Sequence, residues 1–285
     1  MRAFAQALAA LVVLPAIGDA QTWRTVDVSR QLRDSTALMV HVEFGAGRFD
    51  LRPADEPVLY AMHLRYDEGR AKLVDRFDPD AHTLTIGVSD HSTRWAGHKS
   101  EEDAQEMRLV LARTVPMDLS LTLGATQTTV DLGGLSLRGL KVETGAAEAR
   151  LEFSTPNRVP MNTLVVEAGA ASFTMRDIAN ARASTVQVHS GVGAVDLGFG
   201  GIWTGDVDAT VAMAIGKVTI HVPRDVGIRL DMQRFLASFD GNGLDKRGGA
   251  FYSENWESAK YHLRLHVDAT FGAVEVDRAG AGGQD

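Results

Sequence analysis

The sequence predicts an all-β chain whose main body is a parallel β-solenoid (a single-stranded β-helix) carrying an N-terminal antiparallel β cap subdomain. Three observations predict it. A triplet of small residues recurs between short runs of alternating apolar residues. The copies start at 45, 124, 145, 169, 191, 214 and 270, so the steps between 124 and 214 are 21, 24, 22 and 23 residues. The apolar phase slips by one residue across each triplet, as from Val142 and Thr144 to Ala147 and Ala149.

A one-residue slip in a plain strand turns every side chain to the opposite face. A corner or bulge absorbs the slip, and glycine or alanine tolerates the positive φ or close backbone approach that a corner needs. Each copy therefore reads as two strand arms joined at a small-residue corner. The arms before the corner are Leu140/Val142, Leu164/Val166, Val186/Val188, Val211/Met213 and Leu265/Val267; those after it include Leu151/Phe153, Phe173/Met175, Val195/Leu197 and Val218/Ile220. One such unit has too little apolar surface to close a core, and stacking of copies in parallel supplies it. Lys141, Glu143, Glu148, Arg150, Glu152, Gln187, His189 and Asp196 fall on the outward phase. An antiparallel sandwich of the same strands is the competing layout, disfavoured because Asn-Gly hairpin pairs are scarce among the copies.

Residues 1–20, MRAFAQALAALVVLPAIGDA, have a basic start, an apolar run from Ala7 to Leu14 and small residues at Gly18 and Ala20. This predicts a signal peptide and an exported chain, periplasmic or extracellular, starting near Gln21; the run is too short for a membrane span. Residues 21–116 depart from the period and predict the β cap subdomain, with a polar stretch from Ser89 to Glu106 in which Ser100 and Asp103 suit one helical turn. The repeat body covers 117–277, interrupted by an irregular segment at 223–261, also read as a cap. Residues 278–285 predict a disordered tail.

The segments HVEFGAGRFDLRP (41–53), TGAAEARLEF (144–153), EAGAASFTM (167–175), SGVGAVDLGFGG (190–201), AIGKVTIHVP (214–223) and ATFGAVEV (269–276) together resemble the toastrack-type β-solenoid domain. That domain occurs in LiaF-like cell-wall-active-antibiotic response proteins and in bacterial adhesin-like proteins. The resemblance spans about 40–277. It implies a toastrack-like parallel solenoid and brings no catalytic residues with it. LiaF-like proteins carry membrane helices ahead of this domain, where this sequence has a signal-like segment.

Composition restricts the chemistry. The 37 acidic and 29 basic side chains leave a net charge of −8, and no basic run offers nucleic acid a footprint. With no cysteine there is no disulfide, thiolate metal site or cysteine nucleophile. No G-x-S-x-G, H-E-x-x-H, Walker or Rossmann element occurs. Gly191-Val192-Gly193 imitates a phosphate loop, but Asp196 stands at the third glycine and a strand follows. His82, His91 and His98, near Asp90, Glu101, Glu102 and Asp103, match no compact ligand spacing and read as a solvated loop. His262 and His266 alternate along a strand, and Asp240–Asp245 reads as a glycine turn in preference to a calcium loop.

The remaining candidates form a possible interaction surface. Asp206 and Asp208 share one strand face and would be the acids of a carbohydrate-active solenoid enzyme, although an exposed strand edge explains them more simply. Trp203, Phe251, Tyr252 and Trp256 suit either an aromatic contact patch or core packing. The expected function is non-enzymatic, without metal or cofactor: envelope-associated recognition or structure, with an envelope protein or glycan as partner. An accessory sensory subunit of an envelope-stress response is the regulatory alternative, and a homodimer through the solenoid ends is the expected self-contact.

Overall fold

The computed structural model describes residues 22–90 and 104–279. The predicted signal peptide, the helical turn at Ser100, His91 and His98 with the acids at 101–103, and residues 280–285 lie outside the described residues. The chain forms β1 (Trp23–Gln31), β2 (Leu38–Pro53), β3 (Val58–Asp67), β4 (Ala71–Asp78), β5 (Thr83–Asp90), β6 (Glu106–Leu111), β7 (Pro116–Asp131), β8 (Ser136–Glu152), β9 (Met161–Arg176), β10 (Ala183–Gly198), β11 (Val207–Pro223), β12 (Gly227–Gly241), β13 (Leu244–Arg247), β14 (Ala250–Ser253) and β15 (His262–Ala279). A short 3-10 helix at Ile178–Ala181 interrupts this all-β order. None of the described helices is long and apolar enough to cross a membrane.

Eight long strands stack in parallel in the order β2, β7, β8, β9, β10, β11, β15, β12. Their alternation shifts phase where the sequence indicates. In β2 the even residues Leu38, Val40, Val42 and Phe44 are buried, then the odd residues Phe49 and Leu51. In β11 Val211 and Met213 give way to Val218, Ile220 and Val222. The triplets lie directly above one another: Val192, Gly193 and Ala194 pair with Ile215, Gly216 and Lys217, which pair with Phe271, Gly272 and Ala273. Gly193, Gly216 and Gly272 take φ of 139°, 148° and 127°, values an L-residue adopts only under strain. A Cβ on Gly216 would lie 1.8 Å from the Gly193 carbonyl oxygen, and one on Gly272 1.8 Å from that of Gly216.

The corner is a sharp fold-back. Pro116 at the start of β7 pairs with Ser136 at the start of β8, so only residues 132–135 lead from the end of one strand to the start of the next tier. Four linking residues reach at most about 19 Å, whereas a straight 16-residue strand spans about 50 Å. The two arms of each strand must therefore converge, and their inner faces meet. Phe44 and Phe49, on opposite arms of β2, stand 6.0 Å apart between ring centroids. Each fully buried Val, Leu, Ile or Phe on these faces contributes about 1.5–3 kcal/mol.

The connections opposite the corner stack as well. Buried Asn157 accepts from the Leu137 amide at 2.8 Å and donates to the carbonyls of Leu137 and Val159, each at 2.7 Å. Asn180 donates to the Phe153 carbonyl at 2.8 Å and accepts from the Ile202 amide at 2.8 Å. These asparagines replace the ladder bonds that irregular backbone gives up.

Chain order and spatial order part company at both ends. β2 lies in the parallel stack, against β7, although it falls within the segment expected to form the antiparallel cap. Its Gly45-Ala46-Gly47 corner lets it bend like the later tiers. Beyond it, β5 covers the first arm and β6 the second, both parallel to β2. At this end antiparallel pairing appears only outside these, in β4 on β5 and in β3 and β1 beyond β6. At the far end β15 inserts between β11 and β12, so most of the first part of the irregular 223–261 segment is itself a tier. The β13–β14 hairpin follows, with Phe251 paired to Leu230 and packed 4.8 Å from Phe239. Arg278, expected in a disordered tail, is tied down by bonds to the Val226 and Arg224 carbonyls at 2.7 Å each.

Gly216→Ala is expected to cost about 2–3 kcal/mol in chemical denaturation, through positive-φ strain and the Gly193 clash. Gly205→Ala, with nothing within 4 Å of the added Cβ, should stay within about 0.5 kcal/mol. Equal effects at both sites would contradict the corner geometry.

Candidate functional site

The acids singled out by sequence sit at the start of β11 and are already engaged. Asp206 accepts from the His262 amide at 2.9 Å and from Arg264 Nη2 at 3.0 Å, and its Oδ1 is 3.3 Å from His262 Nδ1. Asp208 receives Arg264 Nη1 at 3.3 Å. Asp208 and Arg264 are direct neighbours in the β11–β15 register, so the pair fastens the inserted final strand into the stack. The Trp256 ring packs edge-on against His262 at 4.7 Å and near Tyr252 at 5.6 Å, and its carbonyl meets His262 Nε2 at 3.0 Å.

The other two candidates are elsewhere. Trp203 is 9% exposed, with its indole N–H donating to the Phe199 carbonyl at 3.0 Å. Phe251 plugs the far end of the core against Phe239. Asp206, Asp208, Tyr252 and Trp256 thus gather around His262 and Arg264, while Trp203 and Phe251 pack inward. His82 lies in the β4–β5 turn, where its carbonyl accepts the Met39 amide at 2.9 Å.

A groove of about 1220 Å³ runs along the stack beside the corner. Gly45, Gly124, Gly145, Gly169 and Gly191 border it in successive tiers. A Cβ on Gly124 would lie 2.0 Å from the Gly45 carbonyl oxygen, and one on Gly191 2.7 Å from that of Gly169. Bare backbone at this position is what leaves the depression open. The residue two before each of these positions supplies the wall: Glu43, Thr122, Glu143, Glu167, His189, Ala212 and Asp268 form one column across the tiers.

That column is acidic. Lys141 bridges its centre, paired with Glu143 and 3.6 Å from Glu167. The hydrogen bond that Lys141 donates to Glu143 holds its ammonium above its ordinary value, and the wall as a whole keeps an excess of carboxylates. Thr144 and Ser190, one position before Gly145 and Gly191, also line the groove, and their buried hydroxyls lack a protein partner. Among the described residues no three His, Asp or Glu side chains come together as a metal site. Sequence inspection passed over this wall, although its signal is present: an acid stands two residues ahead of the small residue at Glu43, Glu143, Glu167 and Asp268.

Asp206→Ala is expected to destabilise the fold by about 1–2 kcal/mol, since it strips acceptors from a backbone amide and a guanidinium. Asp208→Ala removes one exposed ion pair and should cost no more than about 0.5 kcal/mol. Thermal melts of the two variants separate these roles.

Comparison with known proteins bears on the family. The family model described as the N-terminal domain of toast_rack, DUF2154, matches residues 17–176. Among solved structures, a "putative cell adhesion protein" of Clostridium sporogenes is 12% identical with a TM-score of 0.45, the match covering 91% of this chain and 100% of that one. A "putative adhesin" of Bacteroides fragilis is 10% identical with a TM-score of 0.35, over 90% of this chain and 98% of that one. A "putative lipid binding protein" of Parabacteroides distasonis is 10% identical with a TM-score of 0.35, over 91% and 98%. No curated protein matches the chain.

Proposed function

Because the chain belongs to the toast_rack family, through that family's N-terminal domain, we propose that it is a non-catalytic recognition scaffold of the cell envelope, exported and wound as a parallel β-solenoid. The observation that carries this reading is the groove: a track of about 1220 Å³ along the tiers, bordered by glycine backbone and walled by Glu43, Glu143, Glu167 and Asp268. Tiers of a parallel stack repeat about every 4.8 Å. The track therefore presents carboxylates at the first, third, fourth and seventh tiers of its wall, spaced by multiples of that step, to an extended partner with donors along its length, an envelope protein segment or a glycan. Carboxylates accept hydrogen bonds strongly from ammonium, amide or hydroxyl donors.

The engagement of Asp206 and Asp208 by Arg264 and His262 supports a structural role for this acid pair. Export rests on the signal-like residues 1–20.

The test is capture of envelope proteins and released glycans by the full chain, with mass spectrometry of both. The native chain should retain a reproducible partner, and Glu43→Lys with Glu143→Lys should reduce its recovery about tenfold or more by turning the wall's charge around. Undiminished recovery by the double variant, or depolymerisation of an envelope polysaccharide by the purified protein, would overturn this reading.

A further inference from the structure

Five of the seven large apolar side chains exposed among the described residues share one place. Val192, Ile215, Phe271, Leu236 and Phe235 are 49%, 50%, 42%, 64% and 75% exposed, and all stand on the corner. The middle corner position reads, in spatial order, Ala46, Ala125, Ala146, Ala170, Val192, Ile215, Phe271, Leu236. Four small tiers are followed by four large ones. Phe235, edge-on to Phe271 at 6.2 Å, occupies in β12 the position that Gly45 holds in β2.

We propose that this corner is a self-association surface, on which the Val192–Leu236 crest of one copy lies along the Ala46–Ala170 track of a second copy running antiparallel. A two-fold axis level with the step between β9 and β10 brings Ala46 opposite Leu236, Ala125 opposite Phe271, Ala146 opposite Ile215 and Ala170 opposite Val192. Each large side chain meets a small one, and Phe235 meets Gly45.

The flanking columns bring no like charges together. On the groove side, the same operation sets Glu167 against His189 and Glu143 against Ala212. On the other side the column reads Arg48, Gln127, Glu148, Ser172, Ala194, Lys217, Ala273, Ser238, and it sets Glu148 against Lys217. A parallel dimer would instead stack crest on crest and small on small, leaving the large side chains without the small partners they fit, while its charges cancel, with Glu143 against Glu148 and Glu43 against Arg48. The contact is isologous and closes at two copies. It is narrow, about 34 Å long for eight tiers, which places it among weak, reversible interfaces.

Sedimentation of the purified full-length chain should show reversible doubling of mass with a dissociation constant on the order of 10–100 µM. Phe271→Ser or Leu236→Ser should weaken doubling about tenfold or more. Ala146→Arg should do the same while leaving the crest intact. Glu148→Lys and Lys217→Glu should each weaken it, and the two together restore it, as only antiparallel pairing does. These sites lie outside the core, so unchanged melting temperatures identify folded variants. Glu43→Lys, at a position opposite uncharged Gln233 at the far end of the contact, should leave doubling in place while weakening partner capture, which separates this surface from the proposed partner groove. A chain that stays monomeric into the millimolar range, a dimer indifferent to Ala146→Arg, or a monomer whose crest binds lipid vesicles refutes the proposal.

Discussion

The close approach of backbone to backbone at the corner is the constraint on which everything else depends. Where Gly193, Gly216 and Gly272 stack, a carbonyl occupies the space that a Cβ would need. With that space kept free, a strand folds back within three residues, its two arms face each other, and their alternating apolar side chains become one interior. Thr126 and Ala237 stand at the same register position in β7 and β12, so the tightest approach is confined to the tiers where glycines stack. The phase slip is the same fact seen in side-chain terms: turning the corner inverts the face, so the sequence must invert its apolar register.

Stacking also decides what a surface is in this molecule. A given position in the repeat becomes a line along the stack, so one residue choice repeated tier after tier makes a wall, a floor or a crest. The acids two residues before the corner form the groove wall, the first glycine of the triplet borders it, and the middle residue forms the crest. The functional reading and the self-association surface use adjacent lines. They differ in chemistry because one carries carboxylates and the other grows from alanine to phenylalanine.

Parallel stacks leave strand edges at their ends, and unpaired edges invite further pairing. Here the first end splits into β5 and β6 and passes to antiparallel strands, while the last carries a hairpin whose Phe251 covers Phe239. The final strand does not end the stack but enters it, fixed by Asp206, Asp208, His262 and Arg264 across β11 and β15. Charged groups that suggested a reaction in the sequence serve in that join.

Local pattern in the chain determined the all-β character, the bent-strand unit and its inward residues, because period-two alternation and small-residue triplets are properties of neighbouring positions. Leu151, Phe173, Val195 and Val218 are legible as core for that reason. Some of the rest was visible only in part: the glutamates at 43, 143 and 167 keep a fixed offset from the corner, but their union into a wall needs the tiers to be in register. Other features had no local signal. The stacking of Asn157 and Asn180 depends on irregular connections lying over one another, and the place of β15 between β11 and β12 reverses chain order. Only tertiary structure decided these, because pairing between distant strands is set by which edges remain open and which faces remain apolar once the local units have formed, and no window of sequence contains both partners.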